Sequence, residues 1–408
     1  MQKEKLSSVA IRAIVVGILL NLCAGAQYVW SMLGRSIINE YGWTTTQATA
    51  PYSVMTVVAC IACVFAGRIN DSGKPKYGTI LGGICMAAGL FISSRTQSPA
   101  VMILSVGVLI GCASPLITNN TSPTATKLSP ASRRGFVGGL VYCGMGFSSL
   151  YMAPVVNALL KNGNVSSTFN IMAIAALILI TVFSFFLPDL PKKEKKDGGA
   201  VEKLDEPNTI YNNEYHGVGL LKTKDFYIMF VLYICGTMAG MILNSAISNI
   251  ASVQCNAPEL GYLAVMALAI GNGVGRFAIS AIADKVGATN AYRILFAIAV
   301  VDCLALCVTH SFGVLVIETI LLGAVYGGSI PLCQTAVGQI YGSQYLATTY
   351  AIIGLAFGVS GFVGPMIAAA CFDINGTYVP AYIMVAVITA IGFALTFALS
   401  KKKAPAAN

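Results

Sequence analysis

Charge is the scarcest property of this sequence. Only 10% of the 408 residues are Asp, Glu, Lys or Arg, whereas 56% are hydrophobic and the mean hydropathy is +0.75. A soluble domain carries roughly 25% charged residues, so folding in water alone is excluded. The two His residues, His216 and His310, lie outside the apolar runs. Because no nucleophile with a base and no phosphate-binding loop is present, we expect neither an enzyme nor a cofactor.

The twelve cysteines do not form a metal-binding pattern. Nearly all of them fall within apolar runs. Cys60 and Cys63, like Cys303 and Cys307, have no His or carboxylate clustered at ligand spacing. In such positions a thiol packs as a small apolar side chain. We therefore predict no metal site.

Long apolar runs dominate the chain. A helix of about 20 apolar residues crosses a hydrocarbon core of ~30 Å. The first run is too long for a cleaved signal peptide and is expected to remain in the protein. The pattern predicts an all-α membrane protein with twelve transmembrane helices, near residues 11–33, 48–67, 78–94, 99–122, 136–159, 168–187, 226–249, 260–282, 293–309, 312–340, 346–371 and 379–399.

The net charge of +9 indicates orientation rather than a nucleic-acid partner. With the N-terminus in the cytoplasm, the 25 Lys and Arg residues fall on the cytoplasmic side apart from four. Arg35, Arg95 and Lys161 fall outside, and Arg276 lies within the eighth run. This asymmetry follows the positive-inside rule. We expect a monomeric, multi-pass protein of the cell inner (plasma) membrane with both termini cytoplasmic.

A single long hydrophilic stretch, residues 188–224, divides the chain. Its Lys, Glu, Asp, Gly and Asn content is typical of a flexible linker, which we place in the cytoplasm between six-helix bundles at 1–187 and 225–408. Parallel repeats around a midplane site are the architecture of many secondary transporters. The two halves repeat at offsets between 211 and 216 positions, in the pairs Asp71 and Asp284, Pro115 and Pro331, and Pro154 and Pro365.

Short motifs are distributed along most of the chain. They are Gln27-Tyr28-Val-Trp30-Ser31, Tyr41-Gly42-Trp43, the turns Gly67–Asp71 and Ser280–Asp284, Arg134-Gly135, Gly144 through Pro154, Leu221-Lys222-Thr223, Asn272 through Arg276, Tyr326-Gly-Gly and Gly361 to Pro365. The two turns resemble the loop motif of the major facilitator superfamily. Within it, the chain resembles the oxalate/formate antiporter family, which includes bacterial relatives of proton-coupled monocarboxylate transporters.

That resemblance implies the major facilitator fold and a carrier of small organic anions. Its partners would be the anion, the lipid bilayer and, where transport is proton-coupled, protons. It also implies that Gly67, Asp71 and Asp284 belong to a loop motif that acts in the conformational change.

Arg276 is the most informative residue, because it is a charge inside a predicted span. A charge at mid-membrane costs ~2.5–3.5 kcal/mol on insertion scales, so Arg276 must face a cavity or a partner. Its side chain should lean towards the helix N-terminus and the membrane centre. The planar guanidinium matches a carboxylate, and Asn272 one turn earlier adds no competing charge. We predict that Arg276 binds the substrate; a snorkelling or structural arginine is the alternative.

Other candidate substrate-binding residues come from both halves. Tyr hydroxyls can donate to a carboxylate or a 2-hydroxyl while their rings exclude water, although each Tyr could equally serve packing. The resemblance implies roles for Gln27, Tyr28, Tyr142 and Tyr326. Position adds Asn119, for which Asn120 is an equal alternative, and Phe357.

Phe357 bears on the substrate. The stretch that begins at Tyr350 ends at Phe357, where the oxalate exchanger of the family has a lysine. Arg276 then supplies one positive charge, which matches one carboxylate. The leading hypothesis is a carrier of a small monocarboxylate such as lactate, pyruvate or formate, by alternating access with proton coupling or anion exchange. Oxalate:formate antiport and a non-transporting membrane sensor are the alternatives.

Two carboxylates, Asp302 and Glu318, lie in the ninth and tenth predicted spans. Related eukaryotic carriers have an Asp four residues before the arginine, where this chain has Asn272, so a proton site must lie elsewhere. Buried carboxyl groups can carry protons. We consider Glu318 first and Asp302 second as proton-coupling candidates; purely structural hydrogen bonding is the alternative.

Overall fold

The computed structural model describes residues 6–130, 133–190, 209–211, 214–215, 217–342 and 345–399. Most of the predicted linker, both chain ends and the side chains of Asp71 and Asp284 lie outside the described residues. Eleven helices of the described part are long and apolar enough to span a membrane, and a twelfth is slightly shorter. The helices are α1 Ser8–Tyr41, α2 Thr45–Asn70, α3 Pro75–Ser93, α4 Pro99–Lys127, α5 Phe136–Asn162, α6 Val165–Phe186, α7 Lys224–Gln254, α8 Pro258–Ala283, α9 Ala288–Leu306, α10 Phe312–Tyr341, α11 Thr348–Asn375 and α12 Val379–Leu395.

The predicted helical fold is thereby confirmed, and local sequence signals account for several helix ends. Thr44 begins α2 with a capping box: its hydroxyl accepts from the Gln47 N–H at 3.2 Å, and its N–H donates to Gln47 Oε1 at 3.0 Å. Such reciprocal bonds satisfy amides that a helix start leaves without acceptors. The first helix ends at Gly42, whose φ of +70° is a left-handed conformation that glycine adopts without strain.

Among the described residues, irregular backbone interrupts the interior of four helices. A 3₁₀ segment, Gly25–Val29, interrupts α1, and a π-helical segment, Ile103–Ile110, lies in α4. Breaks occur at Phe147 in α5 and at Gly354 in α11. Irregular backbone at membrane depth is tolerated where protein buries it or where it lines a cavity. The interruptions in α1, α5 and α11 lie in helices that face the other half of the molecule.

Helix packing repeats between the two halves. In the first half α1 packs on α4 and α5, α2 packs on α4, and α3 packs on α6. In the second half α7 packs on α10 and α11, α8 packs on α10, and α9 packs on α12. The halves meet where α1 faces α7 and along two seams, α2 with α11 and α5 with α8. The two seams are related by the repeat, since α2 corresponds to α8 and α5 to α11.

Several polar contacts between the halves lie at one end of the molecule. We call the end where α1 begins and α12 ends the proximal end, and the opposite end the distal end. Contacts at the distal end join Arg35 to the Pro258 carbonyl (2.5 Å), Lys161 to Glu259 (2.7 Å), and the N–H groups of Thr45 and Thr46 to Asp373 (2.8 Å each).

Polar contacts at the proximal end tie together helices of the same half. Lys127 donates to Asn70 Oδ1 at 2.6 Å, which joins α4 to the end of α2. The hydroxyls of Thr223 and Tyr341 lie 2.7 Å apart, which joins the start of α7 to the end of α10. The backbone of the predicted linker also attaches here, because the Leu190 N–H donates to the Gly73 carbonyl at 3.3 Å.

Candidate functional site

Arg276 lies on the seam between α8 and α5, two turns from the proximal end of α8. Its Nε donates to Asn272 Oδ1 at 3.1 Å, so the side chain leans towards the N-terminus of α8, as predicted. Asn272 is buried and Arg276 is half-buried. Gly146 of α5 faces the guanidinium across the seam, since a Cβ at that glycine would lie 3.9 Å from Arg276 Nε. Gly146 is thus next to the guanidinium on the first half's side of the seam.

Tyr142 and Asn119 form the polar part of the first half's contribution. The Tyr142 hydroxyl donates to Asn119 Oδ1 at 3.2 Å, and Asn119 Nδ2 donates to the Cys63 carbonyl at 3.2 Å. Tyr142 is also within electrostatic range of Arg276. The neighbouring Asn120 is fully buried and donates to backbone carbonyls of α2 and α4. Asn119 therefore lies on the side of Tyr142, and Asn120 serves helix packing.

Aromatic rings of the second half form a cluster of their own. Phe357 lies between Tyr326 and Tyr233, with ring centroids 6.3 Å and 6.2 Å away. The hydroxyls of Tyr233 and Tyr350 lie 3.2 Å apart. Tyr28, in the 3₁₀ segment of α1, interacts with Tyr326 across the halves. This cluster is apolar at Phe357, and its flanking tyrosines carry hydroxyl groups.

Arg276 lies near both the Tyr142–Asn119 pair and the aromatic cluster. Besides Tyr142, its electrostatic range includes Tyr326 and Tyr350. Gln27 lies half-buried beside Tyr28 in the 3₁₀ segment. Tyr142 of the first half and Tyr326 of the second half thus both lie near Arg276.

Sequence reasoning missed Tyr233, Tyr350 and the Cys63 carbonyl. Tyr350 could have been found, because it precedes Phe357 by seven residues and two helical turns place both on one face. Tyr233 lies in none of the motifs. The backbone carbonyl of Cys63 has no residue-specific signal at all.

A packed seam closes the region on the distal side of Arg276. The Phe147 ring, at the break in α5, lies directly on Gly273 of α8, where any Cβ would overlap it. On the other seam, a Cβ at Gly361 of α11 would lie 2.6 Å from Thr56 Oγ1 of α2. Glycine at these two places allows the halves to touch.

The proton-coupling candidates lie elsewhere. Thr309 donates to Glu318 Oε1 at 2.6 Å, and both Glu318 and Asp302 are at least 95% buried. Asp302 Oδ2 and Glu318 Oε2 have no hydrogen-bond partner within the described part of the chain. Glu318 precedes Tyr326 by eight residues, or ~12 Å along α10. The structure does not bring this pair to Arg276, and its coupling role stays a prediction.

The predicted loop-motif residues lie at the proximal end. Gly67 is in the last turns of α2, and the backbones of Asp71 and Asp284 continue α2 and α8. A Cβ at Gly67 would meet no neighbour within 4 Å. These residues are separate from the cluster around Arg276.

Twelve helices in two repeats around a polar and aromatic cluster define a membrane carrier. A family model described as Major Facilitator Superfamily matches residues 14–301 and 229–408. The chain belongs to the major facilitator superfamily.

Several relatives are similar over most of their length. An uncharacterized MFS-type transporter, YhjX of Escherichia coli K12, is 24% identical over 345 residues, covering 84% of this chain and 83% of YhjX. The oxalate:formate antiporter of Oxalobacter formigenes is 22% identical over 399 residues, covering 95% and 91%. Monocarboxylate transporter 12 of Rattus norvegicus is 23% identical over 375 residues, covering 85% and 74%.

Solved structures share the fold at low sequence identity. The nucleoside transporter NupG superposes with a TM-score of 0.73 at 13% identity, covering 97% of this chain and all of NupG. A bacterial homologue of the lysosomal transporter Spinster, in an inward-facing and unoccupied conformation, gives a TM-score of 0.68 at 15% identity with full coverage of both chains. These similarities establish the fold but do not identify the substrate.

Proposed function

We propose that this protein carries a small monocarboxylate, of the lactate, pyruvate or formate type, across the membrane by alternating access. The observation that supports this most is the placement of Arg276: a cation between the halves, hydrogen-bonded to Asn272 and near Tyr142 of the first half and Tyr326 of the second. A guanidinium forms paired, charge-assisted hydrogen bonds with a carboxylate. Relatives named as an oxalate:formate antiporter and as monocarboxylate transporters favour the same substrate class.

The remaining side chains suit the rest of such a substrate. The Tyr142–Asn119 pair offers hydrogen bonds to a second oxygen, such as a 2-hydroxyl or 2-oxo group. Phe357, between two tyrosine rings, offers an apolar surface to a methyl group. A cleft with few, well-placed polar groups and apolar walls is typical of small-molecule sites.

Oxalate:formate exchange is the second candidate, because the antiporter of Oxalobacter formigenes matches 95% of this chain. Oxalate brings two negative charges, and each charge left uncompensated in a dry site costs several kcal/mol. Phe357 occupies the position where the resemblance gives the oxalate exchanger a lysine. Monocarboxylates should therefore be preferred over oxalate by at least tenfold, or ~1.4 kcal/mol.

Alternating access would be a movement of residues 1–187 against 225–408, with 188–224 as a cytoplasmic linker. The cross-half contacts at the distal end support a state closed on that side. The Lys/Arg distribution supports cytoplasmic termini, so the site would be reached from the cytoplasm in this state. The proposed location is the inner membrane.

Uptake into proteoliposomes tests the proposal. Labelled lactate should enter saturably, and unlabelled lactate, pyruvate and formate should compete at least tenfold better than oxalate. Measurement with and without an inward proton gradient, and with and without internal anion, separates symport from exchange. Equal affinity for oxalate and lactate would refute the charge-matching argument. Absence of any saturable uptake across the panel would favour a non-transporting sensor.

A further inference from the structure

Asp373 occupies an unfavourable position in its own helix. It lies in the last turn of α11, which ends at Asn375. The last carbonyl groups of a helix carry a partial negative charge, so a carboxylate there is repelled by its own helix. A favourable interaction for Asp373 must come from another element.

The start of α2 supplies that interaction. The first N–H groups of a helix have no acceptor within it. Thr44 caps the Gln47 N–H with its hydroxyl, but the N–H groups of Thr45 and Thr46 donate to the two carboxylate oxygens of Asp373, at 2.8 Å each. The carboxylate also faces the positive end of the α2 dipole. Because α2 and α11 belong to different halves, both bonds are lost when the distal seam opens.

The second seam has a contact with the opposite character. Lys161 lies in the last turn of α5 and Glu259 in the first turn of α8, 2.7 Å apart. Each of these charges is favoured by its own helix dipole whether the seam is open or closed. Both side chains are exposed, at 53% and 72%, as is Asp373, so the difference between the two contacts lies in the helix dipoles and not in burial. This pair therefore discriminates weakly between the two states.

We propose that Asp373 is a conformational latch, which caps α2 across the halves and biases the resting carrier towards the state closed at the distal end. The latch rests on the proposed function in one respect, namely that the halves separate on this side. It does not depend on which substrate is carried.

Hydrogen–deuterium exchange of the full chain in lipid nanodiscs tests the latch without a substrate. Asp373→Asn keeps the side-chain size but removes the charge and one acceptor. We expect hydrogen–deuterium exchange to rise about three- to tenfold in the start of α2. The same rise is expected on the seam between α5 and α8, the remote seam, in peptides covering 155–162 and 258–265. Thr45→Pro removes one of the donors at a helix position that tolerates proline, and it should give the same pattern. The matched control Glu259→Gln should change both regions less than twofold.

A variant that forces the distal seam open distinguishes failure of the latch proposal from failure of the alternating-access proposal. Gly273→Leu collides with Phe147 and should open the distal seam without touching Asp373. If Asp373→Asn raises exchange only in the first turn of α2, Asp373 is a local cap and the latch is overturned. If Gly273→Leu raises exchange on both seams and Asp373→Asn on neither, the latch fails while separation of the halves stands. If no variant changes the remote seam, the latch and the alternating-access proposal both fail.

Discussion

At the scale of single residues, Arg276→Lys tests whether the planar fork or only the charge binds substrate. Lysine keeps the charge but loses the paired geometry and the Nε bond to Asn272. Charge-assisted hydrogen bonds contribute ~1.5–3 kcal/mol, so kcat/KM for lactate should fall about ten- to 100-fold. Expression and thermal stability should stay near wild type. Arg95→Lys, an exposed arginine over the Phe91 ring, is the control and should transport normally. Normal transport by Arg276→Lys would place the anion site elsewhere.

Phe357→Lys tests whether residue 357 determines the preference for monoanions over dianions. The new ammonium would lie between Tyr326 and Tyr233, where a monocarboxylate cannot neutralise it together with Arg276. Lactate uptake should fall at least tenfold, and oxalate should become the better competitor, as measured in the same proteoliposomes. Phe357→Leu keeps an apolar wall and should retain the preference for monocarboxylates. If Phe357→Leu and Phe357→Lys gave the same selectivity, the lysine position would not set valence.

The residue types of the candidate site could be predicted from the sequence, but the direction of individual side chains could not. Arg276 was identifiable because it is a charge in an apolar run, and the direction of its side chain towards Asn272 follows from helix geometry. Asn119 and Asn120 were equal alternatives, because adjacent residues differ by about 100° around a helix. The π-helical segment Ile103–Ile110 shifts the phase of every later residue in α4, and the sequence does not show it.

At the scale of elements, α8 and α10 approach each other closely. A Cβ at Gly271 or Gly275 would overlap backbone carbonyls of α10, and one at Gly323 would lie 2.7 Å from the Leu268 carbonyl. Backbone cannot yield as a flexible side chain does. Two glycines four apart in one span are typical of such contact, but their partner helix could not be read from the sequence.

Gly275→Ala should therefore force α8 and α10 apart. Overpacking costs ~1–3 kcal/mol, so the midpoint of thermal unfolding in detergent should fall clearly. Gly139→Ala is the matched control, because a Cβ there meets nothing within 4 Å. It should leave the midpoint unchanged or raise it, since alanine favours helix by up to ~1 kcal/mol over glycine. Equal midpoints for both variants would contradict the close contact.

At the scale of the whole molecule, hydropathy was sufficient for the number and order of helices, because apolar length is dictated by the bilayer. It was insufficient for contacts between the halves. Asp373 and the start of α2 are more than 300 residues apart in sequence, and under the proposed latch their contact exists in only one conformational state. Local patterns carry no information on which state is populated.

Orientation in the membrane is the prediction at this scale. Both termini and residues 188–224 should face the cytoplasm, from the Lys/Arg asymmetry. A cysteine at Gly198 should escape a membrane-impermeant maleimide in intact cells and react after permeabilisation. Gln97→Cys, in the exposed turn between α3 and α4, should react in intact cells. Wild-type protein gives the background from native thiols. Labelling of Gly198→Cys in intact cells would show that the predicted orientation is wrong.

The backbone contact between α8 and α10 has a mechanical consequence. Two helices fixed along their length bend less than either alone, so the pair acts as one stiff lever. Arg276 lies partway along this lever, and Glu259 lies at its distal tip, ~26 Å away at the rise of a helix. A tilt of about five degrees around the arginine would therefore displace the tip by roughly 2 Å over that length. Hydrogen bonds of ~2.8 Å do not survive such a shift. A rotation of this size about the proposed anion site would therefore be enough to break the contacts between the start of α8 and the first half.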